Sequence, residues 1–195
     1  MCNFPAPLLE KWLEVCDEHD YVKPTVFQGQ YNLLCRSYEE SHLPLLRKHD
    51  IRFFAHSPLA GGFLSGKVTF ASDPSELKDT RWEKSDSNAF GMGYVDRYDK
   101  PSMHDAIRKM NDLCEAHDLP LFEAAVRWMF YHSRLIGGPL FAEEGDAVIL
   151  GTHGLAVMQK YADAYAAGPL PKELVKGLDG LWEGVRADSS PVLRL

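Results

Sequence analysis

Apolar residues recur at helical spacing directly after Pro7, where Leu8, Leu9, Trp12, Leu13, Val15 and Cys16 predict a helix running to about His19. Lys23 and Pro24 then break the chain, and Thr25 to Gln28 reads as a short strand. Leu43, Leu45 and Leu46 mark a helix from Glu39 to His49, and Ile51 to Ala55 reads as a second strand. Residues 62–101 are polar and rich in Ser, Asp, Lys and Gly, with little periodicity; they read as a long loop, and as a lid over whatever the strands present. Ser102 suits the N-cap of a helix through His117, with Ile107, Met110, Leu113 and Cys114 on its buried face. Leu121 to His132 is apolar over a broad face, and Ala147 to Gly151 forms a third strand. Helices over Leu155 to Ala166 and Lys172 to Arg186 follow, joined by Gly168-Pro169-Leu170-Pro171.

Strands alternating with helices predict an α/β fold with parallel pairing, because each connection is long enough to be a crossover. Each strand runs into polar, glycine-rich residues, which is how the working rim of a (β/α) barrel is written. Three strands do not close such a barrel. The expectation is one incomplete domain over residues 1–195, with open sheet edges that favour self-association or a partner covering them.

Composition narrows the function classes. With 45% hydrophobic and 25% charged residues, the chain has the balance of a folding globular domain. A formal net charge of −7 argues against a general binder of nucleic acid. No apolar run approaches the roughly 20 residues a membrane span needs, and Met-Cys-Asn-Phe-Pro has no apolar signal core, so a cytoplasmic location is expected. Acylation at Cys2 would anchor only weakly without a basic patch. Cys2, Cys16, Cys35 and Cys114 lack zinc-site spacing and read as reduced thiols, and no metal is expected. Glu143 and Glu144, with Asp146 nearby, read as a solvated turn.

Thr25-Val26-Phe27-Gln28-Gly29-Gln30-Tyr31-Asn32, the run from Phe53 through His56-Ser57-Pro58-Leu59-Ala60-Gly61-Gly62 to Lys67, Ala-Val-Arg-Trp at 125–128 and Gly-Asp-Ala-Val-Ile-Leu-Gly at 145–151 together resemble the aldo-keto reductases. The likeness is to the aflatoxin-aldehyde reductase branch and spans nearly the whole chain. It implies the second half of a (β/α)8 barrel, with the strands above as the sixth to eighth and Cys2-Asn3-Phe4 as the stub of the fifth. The tyrosine, lysine, aspartate and histidine that reduce carbonyls in the family belong to its first four strands.

The resemblance implies NADP(H) as cofactor and assigns residues to it. Asn3 and Gln28 fall where side-chain amides hold the nicotinamide carboxamide; from spacing alone they read first as a helix cap and a polar strand terminus. Ser57, Leu59, Gly61, Gly62, Leu64 and Lys67 match the pyrophosphate loop, and Gly151 and Thr152 the adenosine-phosphate contacts. Lys160 and Tyr161 replace the acidic and amide residues that commonly grip the adenine. His56 stands where the family usually puts an aromatic ring under the nicotinamide, and it adds a group that titrates near neutrality. Strand alternation turns Ser57 away from it, so no Ser/His dyad is expected. Tyr31 is the tyrosine near a strand end that offers a proton, although it matches a structural residue of the family. Arg97 and Arg194 fall where the branch keeps arginines for acidic aldehydes.

Three functions follow. The first is an NADP(H)-linked reductase of small aldehydes or ketones that relies on an assembly or a replacement acid. The second is a cofactor-independent isomerase, cyclase or dehydratase built on His56. The third is a catalytically inactive binding or regulatory subunit.

Overall fold

The computed structural model describes residues 1–85, 88–137, 145–152 and 154–191. Its centre is a three-stranded parallel sheet in the order β1 (Val26–Gln30), β2 (Arg52–His56), β3 (Ala147–Val148). β1 and β2 pair along their full length, from Val26 opposite Arg52 to Gln30 opposite His56. Cys2 adds a parallel bridge to Gln28 on the outer side of β1, as the expected stub of a preceding strand. This is an α/β half-barrel. β3 is shorter than the predicted five residues: it pairs with β2 alone, and the ladder ends where the Ile149 amide donates to the Ala55 carbonyl at 2.8 Å.

The period of two along the strands divides the sheet into unequal faces. Phe27, Phe53 and Ala55 are fully buried beneath the helices, whereas Gln28, Phe54 and His56 on the opposite, inner face are half-buried. On the covered face Phe27 stacks on Phe53 at 6.1 Å, and Tyr38 and Tyr31 meet Phe53 edge-on at 5.6 and 5.9 Å. Helix α1 (Ala6–Glu18) contributes Leu9 and Leu13 to this core and α7 (Leu121–Tyr131) contributes Trp128. α6 (Pro101–Glu115) packs on α9 (Lys172–Val185) in the same core, while α8 (Leu155–Ala166) builds a smaller cluster of Tyr161 and Ala164 with Val126 and Phe130.

Several elements depart from the sequence pattern. The helix predicted over Glu39 to His49 is two, α2 (Tyr38–Ser41) and α3 (Leu43–Lys48), because Pro44 brings no amide hydrogen to continue the ladder. α6 begins one residue before Ser102, whose hydroxyl bonds the Asp188 carboxylate instead of capping the helix. The stretch read as an aperiodic loop holds a 3-10 segment (Ala60–Ser65), the one-turn α4 (Lys67–Phe70) and α5 (Ala89–Tyr98). Trp82, Tyr94 and Tyr98 from this stretch are buried with Phe63; Tyr94 and Tyr98 stand one turn apart on α5, but the glycine and polar residues around them leave the apolar stripe too short to read. Asp146 is 1% exposed rather than solvated. Glu143 and Glu144 lie outside the described residues.

The break between α2 and α3 places His42 in the core, 1% exposed. Its Nε2 donates to the Phe4 carbonyl at 2.8 Å, and its Nδ1 lies 2.8 Å from the Ser41 hydroxyl, which itself donates to the Ser37 carbonyl at 2.9 Å. Burial lowers the proton affinity of His42, and does the same at His56 and His132. Unfolded histidines take up protons below about pH 6.5, and these three lag behind when folded. Their stabilisation is therefore complete above that pH and is lost as pH falls through their folded values. Urea midpoints are expected to drop between pH 7.5 and 5.5, before carboxylates titrate; a flat or rising midpoint would contradict this assignment.

Candidate functional site

β1 and β2 end at a common rim, and there the sheet's inner face meets the segment that carries α5. Buried Gln30 donates through Nε2 to the Tyr98 hydroxyl, which also accepts from Asn32 Nδ2 at 2.9 Å. Asn32 Nδ2 lies 3.0 Å from the Ser57 carbonyl as well, so one amide ties the end of β1 to the residue after β2. Burial pushes the Tyr98 hydroxyl far above the ordinary phenol range and leaves it un-ionised.

Ser57 is the turning point of the rim. Its φ of 57° lies in the left-handed region, which ends the strand alternation and swings the side chain back toward its neighbour. The Ser57 hydroxyl consequently sits 3.0 Å from His56 Nδ1 and 2.8 Å from the Tyr94 hydroxyl. The dyad that alternation argued against is thus present. His56 Nε2 faces Asn3 Oδ1 at 3.5 Å, and Asn3 itself has a φ of 48°. Asn3 caps no helix; α1 begins behind Pro5 without a side-chain cap. Burial, aided by the Arg97 guanidinium, lowers the proton affinity of His56 and keeps the ring neutral near neutral pH.

Gln28 shares the inner face with His56 and accepts a thiol contact from Cys2 at 3.5 Å. Beyond Ser57 the chain runs through Leu59 into Gly61 and Gly62, with φ values of 67° and 98°. Gly61 lies against the Tyr94 ring, and its carbonyl accepts the Trp82 indole at 2.9 Å. Gly62 has nothing within 4 Å of where a side chain would begin, and the same holds for Gly151 across the rim. Leu64 is fully buried in the core beneath this loop, Lys67 is exposed at the start of α4, and Thr152 is half-buried.

Arg97 on α5 lies over the Tyr94 ring at 5.4 Å, with its Nε buried and lacking a hydrogen-bond partner; Gln30 Oε1 is likewise unmatched. Sequence reasoning missed Tyr94, Tyr98, Gln30 and Arg81, the last donating to the Tyr94 hydroxyl at 3.3 Å. Their partners are 13 to 68 residues away, and only the fold brings them together. Tyr31 goes the other way. On the helix-covered face its hydroxyl donates to Glu39 at 2.6 Å and accepts the Arg134 amide at 3.1 Å, and burial reinforced by Glu39 pushes it well above the ordinary phenol range. The Tyr31 amide donates to the His56 carbonyl at 3.2 Å, but its side chain does not join the His56 ring. Arg194 lies outside the described residues. Among the described residues no group of three or more His, Cys, Asp or Glu is placed to hold a metal, and the four cysteines are free thiols.

Comparison with known proteins decides the lineage, since the Aldo/keto reductase family model matches residues 1–183. The chain belongs to the aldo/keto reductase family. Among curated members, it is 36% identical over 171 residues to oxidoreductase sirO of Leptosphaeria maculans, covering 87% of this chain and 48% of that protein. It is 33% identical over 186 residues to human aflatoxin B1 aldehyde reductase member 2, covering 93% and 50%. An aldo-keto reductase of Pseudocercospora fijiensis matches at 29% over 192 residues, covering 98% and 62%. The chain thus spans about half the length of these reductase relatives. No described helix is long and apolar enough to cross a membrane.

Proposed function

We propose that this protein is a cytoplasmic NADP(H)-linked oxidoreductase acting on a small aldehyde or ketone, with the rim of β1 and β2 as its cofactor-facing wall. The observation that carries the reading is the gathering of Asn3, Gln28 and His56 on one face beside the uncovered Gly62 backbone. When bound, the nicotinamide supplies a hydride. The side-chain amides of Asn3 and Gln28 suit its carboxamide, which needs partners able both to donate and to accept. Gly61 and Gly62 let the backbone approach a pyrophosphate, Lys67 adds charge, and Gly151 with Thr152 completes the far end. The buried Nε of Arg97 is an unmet donor that an acidic group on the carbonyl compound would satisfy, and Arg194 is assigned beside it by family likeness. The half-open inner face is the surface that a second copy or another partner would cover.

NADPH titrated into the full chain, followed by cofactor fluorescence and thermal stability, is expected to show saturable binding. At 100 times the dissociation constant, stabilisation should reach about 2.7 kcal/mol. Absence of saturation overturns the reading and favours cofactor-free acid–base chemistry, for which the His56–Ser57 contact at 3.0 Å is the specific support.

A further inference from the structure

We propose that two copies of this chain close one eight-stranded barrel, the β3 edge of each pairing with the Cys2 edge of the other. The proposal names the partner for the half-open inner face, and it rests on the reductase reading only for what the closed interior holds. Each chain brings four parallel strand positions, the segment at Cys2 followed by β1, β2 and β3. A parallel (β/α) barrel closes at eight. Two copies related by a twofold along the barrel axis supply the full set, with two identical seams and no edge left over.

The backbone at the two edges is complementary. Gln28 donates its amide to the Met1 carbonyl at 2.8 Å and accepts the Asn3 amide at 3.1 Å, so Cys2 between them turns its own amide and carbonyl away from β1. On the other edge Val148 stands opposite Ala55, whose carbonyl accepts the Ile149 amide at 2.8 Å, so the Val148 amide and carbonyl turn away from β2. A parallel seam needs such a residue on each side, one offering a donor and an acceptor to the other.

The helices beside the two edges carry apolar surface for the seam to bury. α1 turns Leu9, Leu13 and Cys16 inward and leaves Leu8, Trp12 and Val15 42–44% exposed, spaced as one stripe at i, i+4 and i+7. α8 packs Tyr161 and Ala164 against α7 and leaves Leu155 and Met158 89% and 45% exposed, with exposed Ala162 in line. α1 follows the Cys2 segment and α8 follows β3, so closure sets the first stripe of one copy beside the second stripe of the other. Single exposed apolar residues are ordinary, but stripes at both open edges mark an interaction surface. One molecule repeated once matches both edges and both stripes, whereas a different partner would have to present the same pair. Closure also sets Gln28, Phe54 and His56 of each copy opposite those of its partner, which gives the cofactor-facing wall a facing wall.

The test is analytical ultracentrifugation of the full chain at micromolar concentration without cofactor. One species of twice 22.0 kDa is expected. Trp12→Glu and Met158→Lys, both at exposed positions, should each weaken the dimer at least about tenfold while the far-UV circular dichroism stays that of wild type. A monomeric wild type overturns the proposal, and so does an assembly that keeps growing with concentration, because its edges then add without closing. Weakening in one variant and not the other shows a stripe meeting its own copy, and overturns it as well. NADPH titration is read separately. A dimer that binds no NADPH leaves closure standing and removes the reductase reading, whereas a monomer that binds NADPH does the reverse.

Discussion

Asp146→Ala is expected to destabilise the fold by about 3 kcal/mol. The Asp146 carboxylate is 1% exposed and joins separate pieces of chain. It accepts the Phe53 amide at 2.7 Å at the start of β2 and the Ile136 amide at 3.0 Å from the connection after α7, and it takes both terminal nitrogens of Arg47 on α3, one at 3.0 Å. Alanine leaves two backbone donors unmatched in the interior, at about 1–3 kcal/mol each, and removes the counter-charge of Arg47. The Arg47 side chain keeps 30% of its exposure and can rehydrate, which holds the total near the lower end of what breaking a buried pair costs. In urea, with a slope of roughly 2 kcal/mol per molar, the midpoint should fall by more than 1 M. Asp146→Asn, which keeps one acceptor, should lie between. A shift indistinguishable from wild type would mean that water replaces the carboxylate at no cost.

Gly61→Ala is expected to cost about 2–3 kcal/mol, from two sources. A φ of 67° penalises any residue with a β-carbon by about 1 kcal/mol or a little more. The new methyl would also stand 2.7 Å from the Tyr94 ring, which is 5% exposed and bonded through its hydroxyl to Ser57, so it has little room to withdraw. Gly62→Ala is uncrowded, since nothing lies within 4 Å, but its φ of 98° falls beyond the left-handed range of about 50–70° and carries the larger backbone penalty. A Gly61→Ala loss in chemical denaturation that matches or exceeds that of Gly62→Ala therefore reads crowding against Tyr94. A Gly61→Ala loss of no more than about 1 kcal/mol would show that the ring moves aside freely.

The sequence made the α/β order legible because amphipathic spacing is a local property. The apolar set of α1 and the sheet-facing Phe27 and Phe53 stand where periods of 3.6 and two place them. What stayed hidden depends on residues far apart. Asp146 sits among polar neighbours in sequence and reads as a turn until β2 and α3 enclose it. Ser57 reads as pointing away from His56 because alternation holds only while the backbone stays extended, and one positive φ reverses it. Tyr94 and Tyr98 lie in a Gly-rich stretch with weak periodicity, yet they cover the end of the inner face through Ser57, Gln30 and Asn32. The candidate rim was legible through family likeness at Asn3, Gln28, His56 and the glycine pair, while the network behind His56 was not.

The two faces of the sheet differ in what they contribute. Phe27, Phe53 and Ala55 face the helices and are fully buried, whereas Gln28, Phe54 and His56 alternate with them on a face that keeps contact with solvent. Large-to-small changes on the first face cost several kcal/mol, but the second face has little packing to lose. Such a scaffold lets its chemistry drift independently of its folding. A change at Gln28, Phe54 or His56 can alter what this face recognises without taking packing from Phe27 and Phe53.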